Sequence, residues 1–112
     1  MARLASDVGM NMVEQWIEIG SPADFAQGLT RRQAGKRSIV IGHVNGRLRA
    51  FHARCPHAGG PLELSEVDGS IVTCPLHAWR FDLEGGGTEL HGYRSLPVFD
   101  TKIENDKVYV KI

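Results

Sequence analysis

Residues 55–77 read CPHAGGPLELSEVDGSIVTCPLH and hold both cysteines of the 112-residue chain. Cys55 and His57 form a C-x-H pair, sixteen residues follow, and Cys74 and His77 form a C-x-x-H pair. Two thiolates and two imidazoles make a complete ligand set for zinc or for an iron–sulfur cluster. Structural zinc sites usually use C-x2-4-C or H-x3-5-H pairs, and a C-x-H pair is tight for that geometry. Two loops that each offer one sulfur and one nitrogen suit a dinuclear iron centre, in which both cysteines hold one iron and both histidines the other.

The residues around these pairs resemble a known family. CPHAGGPL at 55–62 and CPLHAWRFD at 74–82 are similar to the two cluster-binding loops of the Rieske proteins, and the resemblance extends over roughly residues 13–112. It implies one Rieske-type 2Fe-2S cluster, with Cys55 and Cys74 on the inner iron. By the same resemblance, His57 and His77 bind the outer iron near the surface. A structural zinc module, or two buried structural cysteines beside incidental histidines, are the alternatives.

Length and composition are those of one ordinary globular domain. The chain has 13 Lys and Arg against 13 Asp and Glu, and this zero net charge gives no support to a role on nucleic acid or at a membrane surface. Residues 1–54 hold eight basic and four acidic residues (+4), whereas residues 55–112 hold five and nine (−4). An acidic rim could steer a basic redox partner, although a solvated acidic face is the alternative. No leader and no apolar run of about 18 residues is found, so we expect a cytoplasmic protein without a membrane anchor.

Alternating apolar residues and turn signals predict an all-β chain. The resemblance adds the architecture: an antiparallel, β-sandwich-like base with a small cluster-binding subdomain of two loops at about 53–84, in a single domain at 13–112 after a loose tail at 1–12. Asn45 and Gly46 predict a type I′ hairpin, and Asp68 and Gly69 predict the turn that brings Cys74 back beside Cys55. The other predicted elements are strands at 13–19, 29–34, 38–44 and 47–53, a helical turn at 21–28, a flexible glycine turn at 85–87 and a terminal hairpin at 98–112.

Four positions predict a low reduction potential. The Rieske proteins of respiratory cytochrome bc complexes carry a disulfide between the loops, and a serine and a tyrosine whose hydroxyls bond to cluster sulfurs. The matching positions here are Gly60 and Leu76 for the disulfide, Trp79 for the serine and Phe81 for the tyrosine. Without those donors we expect a potential at the low end of about −150 to +300 mV, with loop backbone N–H groups as the main donors to sulfur.

Several residues are expected around the cluster, where they either cover it or present apolar surface to a partner. They are Pro56, Gly59, Leu62, Leu76, Trp79 and Pro97. Pro97 lies in the segment 90–100, which resembles the proline-containing loop of the family, and a plain strand boundary is the alternative. Ala78 departs from the family pattern, which usually has glycine after the second histidine.

A soluble, single-domain Rieske protein of low potential resembles the ferredoxins of ring-hydroxylating oxygenase systems. The resemblance implies a one-electron carrier without substrate chemistry, with a flavin-dependent ferredoxin reductase as donor and a terminal Rieske oxygenase as acceptor, and we expect a monomer. The alternatives are the small Rieske-like subunit of a nitrite reductase and, in another class, a structural zinc-binding module.

We expect the basic residues outside the two cluster-binding loops to be solvated. A basic cluster in the first half is expected to be a solvated strand face or turn, with a docking patch as the alternative, and His43 and His52 are interpreted as ordinary strand residues. The basic cluster consists of Arg31, Arg32, Lys36 and Arg37.

Overall fold

The computed structural model describes residues 15–56, 59–76, 78–85, 87–89 and 95–112. These residues form three antiparallel sheets, and the predicted all-β class is confirmed. The strands are β1 (Trp16–Gly20), β2 (Thr30–Ala34), β3 (Arg37–Val44), β4 (Arg47–His52), β5 (Glu66–Asp68), β6 (Ile71–Thr73), β7 (Arg80–Asp82), β8 (Thr88–Glu89), β9 (Val98–Phe99), β10 (Thr101–Glu104) and β11 (Lys107–Lys111). The sheets have the strand orders β1-β11-β10, β2-β3-β4-β9 and β5-β6-β7-β8.

The helical content of the described residues is limited to short 3-10 turns. They lie at Pro22–Phe25, Leu62–Leu64 and Leu83–Gly85. The first confirms the predicted helical turn, in which the Ser21 N–H donates to the Asp24 carboxylate at 2.9 Å. No helix in the described ranges is long and apolar enough to cross a bilayer.

The sheet β2-β3-β4-β9 separates two cores, because a strand points successive side chains to opposite faces. On one face Ile39 and Ile41 pack with the β1-β11-β10 sheet, through Ile19, Val108 and Val110. On the other face Val40 and Val44 pack with both cysteines and with residues of the β5-β8 sheet. Burial on both faces explains why SIVIGHV is almost continuously apolar.

The hairpin turns agree with the sequence signals except at one position. Asn45 and Gly46 have φ values of 56° and 79°, as a type I′ turn between β3 and β4 requires. The terminal hairpin β10–β11 is also confirmed. Between β5 and β6, however, Asp68 pairs with Ile71, so the turn is Gly69–Ser70 and the predicted Asp68–Gly69 was wrong by one residue. Gly69 takes the first turn position because its φ of 60° favours glycine there.

The glycine run at 85–87 differs from the predicted flexible turn. Gly85 ends a 3-10 turn, and Gly86 lies outside the described residues. Gly87 is buried with a φ of 84°, and its carbonyl accepts the Leu96 N–H at 2.8 Å. A Cβ on Gly87 would collide with the Leu96 carbonyl oxygen. Glycine is therefore needed at position 87, because the backbone of Leu96 passes too close for a side chain.

Candidate metal centre

The two cysteines begin two loops that share one hydrogen-bond pattern. The Cys55 N–H donates to the Gly60 carbonyl at 3.0 Å, and the Gly59 N–H donates to the Cys55 carbonyl at 2.7 Å. In the second loop the Cys74 N–H donates to the Trp79 carbonyl at 2.8 Å, and the Ala78 N–H donates to the Cys74 carbonyl at 3.1 Å. Each cysteine is thus bonded to the fourth and fifth residues after it, and both loops close in the same way.

The fourth residue after each cysteine has a left-handed backbone. Gly59 has a φ of 72° and Ala78 a φ of 59°. Ala78, where the family usually has glycine, is therefore at a position that favours glycine. A Cβ in this conformation approaches the following carbonyl oxygen.

Both thiols are buried at the base of their loops. Cys55 is 2% exposed and Cys74 is 1% exposed, and the two are not joined in a disulfide. They share one apolar cluster with Val40, Phe51, Ala53, Leu62, Val72, Phe81 and Leu96. These apolar side chains exclude water from both thiols.

Gly60 is where the two loops come into contact. An ideal Cβ on Gly60 would lie 2.8 Å from the Cys74 Sγ and 3.1 Å from the Leu76 Cγ. The two positions matched to the respiratory disulfide are therefore neighbours across the loops. In addition, the N–H of this buried residue donates to no acceptor within the described part of the chain. An unpaired buried N–H beside a thiol fits a site that receives a sulfur-containing acceptor.

The predicted ligand set is only partly within the described residues. Cys55 and Cys74 are described and are brought together by the loop contact at Gly60, whereas His57 and His77 lie outside the described residues. Among the side chains that are described, no three His, Cys, Asp or Glu gather as a metal site. The complete set of four remains a prediction. The residues present fit a 2Fe-2S cluster. Two buried thiols can bind iron, and the Gly60 N–H, which has no acceptor among the described residues, can donate to sulfur. Glycine at this position avoids a collision with the Cys74 Sγ.

The other residues predicted around the cluster divide between core and surface. Pro56 and Trp79 are half-buried, Gly59 is exposed, and Leu76 is 53% exposed. Leu62 is fully buried beside the cysteines, so its predicted alternative place on the docking surface was wrong. Leu62 begins the 3-10 turn Leu62–Leu64, and the side chain two residues later leaves the core.

That outward side chain, Leu64, was missed by the sequence analysis. It is 66% exposed and lines a pocket of about 320 Å³ with Glu66, Thr73, Cys74, Pro75 and Ala78. The spacing of two leucines on a 3-10 turn could have identified it, because residues i and i+2 of such a turn point in different directions.

Pro97 is exposed and precedes β9 directly, and its carbonyl accepts the His52 N–H at 2.9 Å. This is the strand boundary that was the alternative interpretation. Residues 90–94 of the proline-containing segment lie outside the described residues. Leu96, which sequence reasoning did not select, is fully buried in the cysteine-containing core.

Two ion pairs connect the β2-β3-β4-β9 sheet to the part of the chain that contains the cysteine loops. Arg31 of β2 pairs with Glu63 at 3.2 Å, and Arg49 of β4 pairs with Glu84 at 2.7 Å. The hydrogen bond from Arg49, followed by the charges of Arg49 and Arg47, lowers the pKa of Glu84 below its ordinary 4.5. Arg31 is therefore a paired residue, which differs from the solvated strand face expected for the basic cluster.

Comparison with known proteins gives a consistent family assignment. Residues 15–100 match the family described as Rieske [2Fe-2S] domain. The oxygenase component of 3-ketosteroid-9-alpha-monooxygenase from Rhodococcus rhodochrous is 30% identical over 103 residues, which are 85% of this chain and 26% of that protein. The chain thus spans about a quarter of the length of that relative.

Solved structures share the fold. The ferredoxin of Sphingomonas yanoikuyae B1 superposes with a TM-score of 0.76 at 20% identity, over 88% of this chain and 99% of that one. A chain from the complex of reduced oxygenase and oxidized ferredoxin in carbazole 1,9a-dioxygenase superposes with a TM-score of 0.73 at 22% identity, over 86% of this chain and 92% of that one.

Proposed function

Because the chain belongs to the Rieske [2Fe-2S] domain family, whose members hold one Rieske-type 2Fe-2S cluster, we propose that it is a one-electron carrier. We further propose that it receives electrons from a flavin-dependent ferredoxin reductase and passes them to a terminal Rieske oxygenase. The observation that carries the proposal is the pair of matching loops, which begin at two buried cysteines and meet at Gly60.

In this proposal Cys55 and Cys74 bind the inner iron, and His57 and His77 bind the outer one. The cluster supplies reversible one-electron chemistry when bound. The chain holds the two cysteines in closed loops, keeps water away from the sulfurs with Leu62, Phe81 and Leu96, and offers the Gly60 N–H as a donor. Leu64 and Leu76 are exposed, and such apolar side chains near the two loops suit a brief encounter with a redox partner.

A ferredoxin among the structural neighbours supports the carrier role. This chain superposes on that ferredoxin with a TM-score of 0.76. A single Rieske domain at 13–112 that works as a monomer fits this proposal, and the terminal partner would supply the substrate chemistry.

The ligand assignment is tested with His57→Ala and His77→Ala. We expect each variant to lose the visible absorption and the EPR signal of the reduced cluster, since the outer iron loses a ligand. His43→Ala is the matched control, because His43 is an exposed residue of β3. An unchanged spectrum in either variant would show that the substituted histidine is not a ligand. A protein without substitutions that is colourless and binds zinc would establish the zinc module.

The carrier role is tested by potentiometry and by partner kinetics. We expect a reversible one-electron transition at the low end of about −150 to +300 mV, because Trp79 and Phe81 have no hydroxyl to donate to sulfur. The reduced protein should transfer its electron to a terminal Rieske oxygenase in a stopped-flow experiment. Reaction with a nitrite reductase large subunit and not with any oxygenase would support the nitrite reductase alternative instead.

A further inference from the structure

A pocket of about 360 Å³ lies where β3 begins and β4 ends. The antiparallel pairing of these strands places Ile39 opposite His52, and the Ala53 N–H donates to the Ser38 carbonyl at 3.1 Å. Residues from the start of β3 therefore face residues that lead into the Cys55 loop. The pocket is lined by Lys36, Arg37, Ser38, His52, Arg54 and Ile112.

The side chains of the described residues that line the pocket are strongly basic, and none of them is a carboxylate. Within the described ranges, no carboxylate oxygen lies within 4.0 Å of the charged groups of Lys36, Arg37 or Arg54. By contrast, the neighbouring Arg31 and Arg49 are paired at 3.2 Å and 2.7 Å. Three cationic side chains without a carboxylate partner among the described residues therefore line the pocket, whereas Arg31 and Arg49 each have a carboxylate of their own.

Arg37 is held in place at the pocket, whereas one ring nitrogen of His52 is not hydrogen-bonded among the described residues. The guanidinium carbon of Arg37 lies 5.1 Å from the centroid of the Phe99 ring, which orders this side chain. The Nδ1 atom of His52 is buried and has no hydrogen-bond partner among the described residues. Burial, followed by the charges of Arg37, Arg54 and Arg31, lowers the pKa of His52 below 6.5, which records the same excess of positive charge.

We propose that this pocket binds a small free oxyanion that carries a phosphate or carboxylate group. Guanidinium forks donate paired hydrogen bonds to such a group, and an ammonium adds a point charge. The size of the pocket, about 360 Å³, favours one small anion over an extended acidic surface.

Binding can be measured on the cluster-containing protein by the phosphorus NMR linewidth of inorganic phosphate, with chloride replaced at constant ionic strength. We expect saturable broadening. Arg37→Gln and Lys36→Gln should each weaken binding about tenfold, because each removes a charged donor. Arg80→Gln is the control, because it removes the same charge from an exposed position on β7. Circular dichroism of the variants checks that each one folds.

A glutamate-rich peptide in place of phosphate separates a free anion from an acidic protein partner. Saturable phosphate binding that depends on Arg37 and Lys36 but not on Arg80 would support the proposal. Equal weakening by all three substitutions would mean general charge attraction and would overturn it. Binding of the peptide alone, or of neither probe, would overturn it as well.

Discussion

Ala78 has the backbone conformation of Gly59, although it carries a side chain. The two residues occupy the same place in loops with the same pair of hydrogen bonds, at φ values of 59° and 72°. A left-handed backbone costs an L-residue about 1 to 2 kcal/mol, whereas glycine adopts it freely. The second loop is therefore the more strained of the two.

The strain predicts that Ala78→Gly stabilises the protein. We expect a gain of about 1 kcal/mol in the free energy of unfolding, because relief of strain exceeds the added flexibility of the unfolded chain. Ala26→Gly is the control, since Ala26 has an ordinary φ of −73° and gains no relief. Thermal unfolding followed by circular dichroism measures both, and a loss of stability in Ala78→Gly equal to that of the control would contradict the argument.

Gly60 predicts a defect in cluster assembly. A methyl group on Gly60 would meet the Cys74 Sγ at 2.8 Å, whereas one on Gly59 would meet nothing within 4 Å. We expect Gly60→Ala to lower the iron and sulfide content of the purified protein sharply, because the loops must move apart. Gly59→Ala should keep its cluster and lose only about 1 kcal/mol of stability from its left-handed backbone. Equal cluster content in the two variants would show that the loops tolerate separation.

At the scale of elements, β3 and β4 contribute side chains to both hydrophobic cores. Ile39 and Ile41 of β3 face one core, and Val40 and Val44 face the core with the cysteines. Arg49 on β4 adds a polar connection, because its pair with Glu84 reaches the 3-10 turn that follows β7. The position of the cluster loops thus depends on one shared sheet.

The pair between Arg49 and Glu84 predicts a dependence of stability on pH. A carboxylate whose folded pKa is lowered stabilises the protein above its unfolded value of 4.5, and this stabilisation is lost as pH falls through the lower folded value. We expect the unfolding temperature of the cluster-containing protein to fall between about pH 5 and pH 3, and Glu84→Gln to reduce that fall. The control is Glu66→Gln, an exposed residue of β5. A fall of the same size in Glu84→Gln would assign the acid sensitivity to other groups.

Local signals predicted most elements, because they act through the residues that form them. Asn45 and Gly46 specify their own turn. The turn at Gly69–Ser70 was placed one residue early, since Asp and Gly each suit a turn and pairing between strands decides the register. Gly87 was misjudged, and the choice between a covering and a docking role for Leu62 stayed open, for a different reason. Their burial depends on contacts with Cys55, Cys74 and Leu96, which are distant in sequence.

At the scale of the whole molecule, the cysteines belong to one of two separate cores. The core beside β1 and β11 contains neither cysteine, whereas Cys55 and Cys74 lie in the core that faces the β5-β8 sheet. A cluster bound between the loops would add covalent links to the contact at Gly60 and to the apolar core that both cysteines share. Stability should therefore depend on iron in one part of the molecule more than in the other.

Removal of the cluster is predicted to loosen the molecule unevenly. After treatment with a chelator and reductant, hydrogen exchange should accelerate in β5, β6 and β7, because they flank the cysteines. The hairpin β10–β11 serves as the internal control and should keep most of its protection, since Val108 and Val110 pack in the other core. Mass spectrometry of the two regions measures this. Equal loss of protection in both would mean that the cores unfold as one unit.

The closed loops also have a kinetic consequence. Each cysteine has both backbone polar groups bonded within its own loop and its side chain in the packed core, so little of its surroundings can shift when the charge of a bound cluster changes by one. A site that is already arranged for both charge states has a small reorganisation energy. Electron exchange between two copies of the protein would then be limited by how often they meet and not by atomic movement within either of them.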